Sequence, residues 1–202
     1  MKMNTRLTIL AAALLAAAPA AMADARGKAM DMMKTDFHAK GQAAAERINA
    51  DAVQAICNRT KNKPSEKLAK RLESDQLATV KFPADGKLMG DWKAGEKIAQ
   101  SGRGLTWSDK PDAEVGGNCY NCHQIGPNEA SYGTLGPSLF QFGKLRGNTA
   151  DIQKYTYSKI YNAKAFNLCS EMPRLGHVGA LTETQIKDLV ALLLDPASPV
   201  NK

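Results

Sequence analysis

Cysteine is scarce in this chain, long apolar runs are scarcer, and clustered basic charge is missing. Four Cys among 202 residues exclude a disulfide-dense miniprotein. Leu7–Ala18 is the longest apolar run, and its 12 residues at about 1.5 Å each fall short of a hydrocarbon core about 30 Å thick. No other segment is long and apolar enough to span a membrane. The net charge is +7, yet no dense Lys/Arg run tracks a phosphate backbone, which argues against a nucleic-acid partner. Sixteen Gly and 9 Pro are near average usage, so collagen-like and low-complexity architectures fall away. There is no internal repeat and no alternating pattern of useful strand length, so the expected fold class is all-α.

What is present begins with an export signal. Lys2 and Arg6 precede the apolar run, and Ala21-Met22-Ala23 offers a small-x-small cleavage site before Asp24. Residues 1–23 are therefore expected to be a signal peptide, cleaved after Ala23, with the mature chain in the periplasm. Losing Lys2 and Arg6 takes the charge from +7 to +5. Residues 24–83 are expected to form a helical N-terminal extension. Met30, Met33 and Phe37 share a helix face, and Leu68 and Leu72 lie at i, i+4, as do Glu66 and Lys70. Pro64 is placed to open a helix near its first turn. So thin an apolar stripe cannot make its own core, and it should pack on the rest of the chain or on a partner.

Residues 84–202 are expected to be the main domain. Asp91 can cap a helix from Trp92 to about Gln100, in which Gly95 signals close approach by another helix. Residues 116–137 read as loop, and Thr149–Ala163 as a middle helix. Thr182 with Gln185 makes a capping box for a last helix. Ile186, Leu189, Val190 and Leu193 form its apolar face, and Asp195-Pro196 stops it.

The decisive motif is Cys119-Tyr120-Asn121-Cys122-His123. C-x-x-C-H is the attachment signature of a c-type haem. Two thiols three positions apart can form thioethers to the vinyl groups of one porphyrin edge, and the next residue brings an imidazole under the iron. Gly116-Gly117-Asn118 permits the compact turn this requires. A redox C-x-x-C would open a helix after a strand, and no strand-like run precedes Cys119. A zinc site would need a second Cys/His pair, which is missing. One covalent haem is expected.

With His123 as one axial ligand, Met172 is the only Met after the motif and the expected second ligand. Pro173 holds its loop extended. His177 is the competitor, and Cys169 or a Lys is a more remote one. Pro137 lies 14 residues after His123, where a nearby backbone carbonyl can accept the imidazole N–H and fix the ring. Tyr120, Phe140, Phe142 and Tyr155 are available to wall a haem or to serve as core. Cys57 and Cys169 remain, and an internal disulfide is the economical pairing in an exported protein. The alternative is a free thiol that pairs with a partner or ligand.

These residues together resemble class I cytochromes c, and more closely the SoxX family. The resemblance rests on Gly116-Gly-Asn-Cys-Tyr-Asn-Cys-His123 and Gly133-Thr-Leu-Gly-Pro137. It rests further on Asn167-Leu-Cys-Ser-Glu-Met-Pro-Arg-Leu-Gly-His177 and on Asp188-Leu-Val-Ala-Leu-Leu-Leu-Asp-Pro-Ala-Ser-Pro-Val200. It covers roughly residues 90–200. It implies a class I cytochrome c fold and a heterodimer with a SoxA-like cytochrome in the periplasm. It also implies transient contact with a SoxYZ-like carrier and a downstream acceptor cytochrome. That complex is an L-cysteine S-thiosulfotransferase, which joins thiosulfate oxidatively to a carrier cysteine. By the family pattern the catalytic haem belongs to the partner, and this chain, as the non-catalytic subunit, relays electrons. A free periplasmic shuttle and the cytochrome subunit of another sulfur-compound dehydrogenase are the alternatives. No nucleophile–base pair stands out in the sequence.

Overall fold

The computed structural model describes residue 25 and residues 27–202. The expected signal segment, with Lys2, Arg6 and the expected cleavage after Ala23, lies outside the described residues. The chain divides into two compact units, Met1–Asn49 and Ala50–Lys202. In the first, a helix covers 27–36 (α1) and a 3-10 turn covers Ala45–Ile48. Phe37 lies past the end of α1 and is 59% exposed, so it does not extend an apolar face with Met30 and Met33.

The second unit holds six helices: α2 (Ala52–Arg59), α3 (Glu66–Leu77), α4 (Trp92–Gln100), α5 (Phe142–Arg146), α6 (Ala150–Tyr161) and α7 (Glu183–Leu194). No strand occurs among the described residues, so the fold is all-α there; an isolated bridge joins Lys40 and Ala43. No helix among the described residues is long and apolar enough to cross a membrane. The sequence division at 83/84 does not coincide with the compact division at 49/50, since 50–83 belongs to the same unit as 84–202.

Local chemistry sets the helix starts. Asp51 caps α2 in a full capping box with Gln54, and Thr182 caps α7 in the same way with Gln185. Asp91 accepts from the Lys93 N–H at the start of α4, and Thr149 from the Ile152 N–H at the start of α6. Pro64 does not open α3. Ser65 takes the extended N-cap conformation, which leaves Pro64 one position outside the helix. Glu66 and Lys70 pair across one turn at 2.6 Å, fully on the surface.

The core is built on α7. Ile186, Leu189, Val190, Leu192, Leu193 and Leu194 are all buried. Each such side chain contributes about 1.5–3 kcal/mol on removal from water. Its main partner is α4, and Gly95 is the reason they come so close. A Cβ at Gly95 would collide with the Asp188 carbonyl. Backbone bonds lock the crossing: Gly90 N–H donates to the Lys187 carbonyl at 3.0 Å, and Asp91 N–H to the Asp188 carboxylate at 2.8 Å. A second, smaller cluster joins Val53 and Cys57 of α2 to Leu168, with Ala69 and Leu72 of α3 packed against it.

Candidate functional site

Cys119–Asn121 forms a single 3-10 turn inside an otherwise irregular loop. The left-handed residue that starts the turn is Asn118, with φ 51°, and not one of the two glycines before it. Gly116 is required for a different reason, since a Cβ there would collide with the Ser101 carbonyl. The loop is hung from α4 by Gly117 N–H donating to the Ile98 carbonyl at 2.8 Å and Asn118 N–H to the Ser101 carbonyl at 2.9 Å.

Within the turn, the His123 N–H donates to the Cys119 carbonyl at 2.9 Å. The two thiols and the imidazole are thereby carried on one turn of chain. Residues 133–139 run alongside: Gly133 N–H reaches the Tyr120 carbonyl at 2.8 Å, and Gly136 N–H the Cys122 carbonyl at 2.8 Å. This ladder brings the Pro137 carbonyl to 2.7 Å from His123 Nδ1. Nδ1 is then the protonated nitrogen, and Nε2 keeps its lone pair for a metal. Gly136 lies flat against the ring, where any Cβ would overlap it.

Tyr120, between the two cysteines, is buried and anchors the turn to α4. Its hydroxyl donates to Glu96 at 3.1 Å and accepts from the Gly126 N–H at 3.2 Å. Burial, and then the Glu96 charge, push the phenol pKa up. Burial likewise raises that of Glu96. Tyr120 is thus core and anchor. Tyr155 stacks edge-on with Phe166 at 4.8 Å, and Phe142 packs on the main core.

Cys119 and Cys122 are free thiols, whereas Cys57 and Cys169 form a disulfide. Burial pushes the Cys119 thiol up to about 12, followed by the effect of Cys122. A dithiol oxidoreductase needs the opposite, a thiol lowered by a helix N-terminus or a cation. Among the described residues there is no group of three or more His, Cys, Asp or Glu able to hold a metal ion, which leaves the zinc reading without a donor set. A haem iron needs only two protein ligands, because the porphyrin provides four nitrogens. The donor chemistry present fits that group: two unpaired thiols, an imidazole with Nε2 free, and a thioether.

The thioether is that of Met172, half-buried and packed against the same core cluster as Cys119. His177 is the competitor the sequence offers. It is exposed, and its Nδ1 lies 3.2 Å from the Thr79 hydroxyl. The segment that carries Met172 is held by residues that the sequence reading did not single out. Arg174 pairs with Asp51, Glu73 accepts the Leu168 N–H at 2.9 Å, and buried Lys164 donates to the carbonyls of Leu168 and Ser170. The Asp51-x-x-Gln54 capping pattern was the one signal in the sequence that could have marked α2. Leu135, next to Gly136 in the sequence, is 89% exposed, an apolar side chain in the segment that supplies the ring's hydrogen-bond acceptor.

No protein-family model matches the chain. The chain is 40% identical over 129 residues to an uncharacterized lipoprotein of Aquifex aeolicus (strain VF5), an alignment covering 63% of this chain and 61% of that protein. The chain thus spans less than two thirds of that relative's length.

Proposed function

We propose that this chain is an exported monohaem c-type cytochrome of class I fold. We further propose that it is the electron-relay subunit of a SoxAX-type L-cysteine S-thiosulfotransferase in the periplasm. The observation that carries the cytochrome reading is the turn Cys119–His123 with His123 Nδ1 bonded to the Pro137 carbonyl at 2.7 Å. Cys119 and Cys122 would hold one haem covalently, and His123 and Met172 would ligate its iron. The haem supplies one-electron exchange. The chain's residues do the rest. Pro137 fixes the tautomer and aim of His123, Tyr120 ties the attachment turn to α4, and the α4–α7 crossing fixes the floor on which both stand. A thioether ligand favours reduced iron and raises the potential, which suits a relay.

The thiosulfate assignment rests on the resemblance of the Met172-Pro173-Arg174 loop and of the C-terminal segment to the SoxX family. In that reaction a carrier thiolate and thiosulfate combine into an S–S bond and release two electrons. With His123 and Met172 both holding the iron, this chain would offer the sulfur anion no place to bind it, so the bond would form on the partner subunit. Two measurements test the proposal. A pyridine haemochrome assay on the protein matured with a haem-attachment system should give about one haem per chain, inextractable by acid–acetone. The chain alone should be inert with thiosulfate and the carrier, yet reducible by an artificial donor. With the SoxA-like partner, the adduct should form while an added acceptor is reduced. Haem removed by acid–acetone would overturn the first reading. Adduct formation by the chain alone would overturn the second, and failure to bind the partner would favour a free shuttle.

A further inference from the structure

Met172 sits on a span fixed at both ends to the same short helix. Three residues before it, Cys169 is joined to Cys57 of α2. Two residues after it, the Arg174 guanidinium donates to Asp51, the N-cap of that helix. The partners are 112 and 123 residues apart in sequence, so neither tie follows from local chain geometry. A third comes from α3, where Glu73 Oε1 accepts the Leu168 N–H at 2.9 Å.

We infer that α2 and α3 are a latch that holds the Met172 thioether in ligating position, with Asp51, Cys57 and Glu73 as its positioning residues. This rests on the proposed role of Met172 as axial ligand. Residues 166–181 contain no helix, and an irregular segment has many conformations of similar energy. A ligand on such a segment outcompetes small molecules only when its ordering is already secured by other bonds. Here it is secured on both sides. An eight-residue helix is not stable alone. Since α2 buries Val53 and Cys57 with Leu168, latch and loop order each other.

The test uses the oxidised, haem-loaded full chain titrated with imidazole, well below each variant's melting temperature. The readout is loss of the far-red Met–iron charge-transfer band. Asp51→Asn keeps a good N-cap and removes the charge that Arg174 engages. Asp51→Asn and the double variant Cys57→Ala/Cys169→Ala should each raise imidazole affinity about tenfold or more, a coupling of ordinary size for groups in one network. Lys70→Ala, on the open face of α3, should change nothing. If the Cys variant fails to fold, Asp51→Asn and Glu73→Ala, which removes the acceptor of the Leu168 N–H, decide. Affinities within about twofold of the parent, even with lowered melting temperatures, would make α2 and α3 structural only and overturn the latch. Met172→Ala separates the two claims. If it abolishes the band, the ligand assignment stands whatever the latch variants do; if the band survives, that assignment falls and the latch with it.

Discussion

The imidazole of His123 is held from two sides, by a carbonyl in line with Nδ1 and by a residue with no side chain against the ring face. Both come from Gly136-Pro137, so one dipeptide sets both the tautomer and the clearance. Gly136→Ala should push the ring off the Pro137 carbonyl. Overpacking of this kind costs about 1–3 kcal/mol, and the denaturant midpoint should fall, as should the yield of the proposed haem adduct. Tyr120→Phe should cost about 1–3 kcal/mol by leaving the Gly126 amide without its acceptor. Urea unfolding measures it, and an unchanged midpoint would mean that water takes the hydroxyl's place. That Cys119, Cys122 and His123 share one turn was legible in the sequence because their spacing is local, and the Pro137 carbonyl stands beside the imidazole as the sequence suggested. Glu96, Glu73 and Lys164 were not legible. Their roles depend on which distant carbonyl, hydroxyl or amide the fold delivers to them, and no spacing rule encodes that.

At the scale of elements, α4 and α7 behave as one object. Replacing Gly95 by Ala would ordinarily gain about 1 kcal/mol of helix propensity. Here the added methyl meets the Asp188 backbone, which cannot yield without parting the helices. Gly95→Ala should therefore destabilise by about 1–3 kcal/mol despite its better propensity, as read by thermal or urea unfolding. A neutral or stabilising result would mean that the crossing slides. The limits of α4, α6 and α7 could be read closely from Asp91, Thr149 and Thr182, because a cap is a local hydrogen bond between near neighbours. The α2–α3 region was legible only as helical. Its apolar positions are too few to announce a face, and Leu168, on which they pack, lies far along the chain, 111 residues beyond Cys57.

For the whole molecule, acid should weaken the second unit in two stages. Burial, then the Arg174 charge, hold the His177 pKa below its ordinary value. The unfolded chain thus takes up that proton first, and stability present above about pH 6.5 is lost as pH falls toward the folded value. For Asp51, burial alone would raise the pKa, but the Gln54 amide and the Arg174 guanidinium together hold it below the usual carboxylate range. Its contribution is present above about pH 3.9 and is lost as pH falls through the folded value. Melting temperatures measured across this range should show both declines, with His177→Gln removing the upper one and Asp51→Asn the lower. A flat profile between pH 7 and 5 would contradict the first. The bond from Asp91 to Asp188 also has a meaning in time. Its ends are 97 residues apart, and a ribosome works from one end only. The turn bearing Cys119, Cys122 and His123 is therefore synthesised while the helix that will close over α4 does not yet exist. In a nascent chain that turn precedes the helix that completes the core on which Cys119 packs.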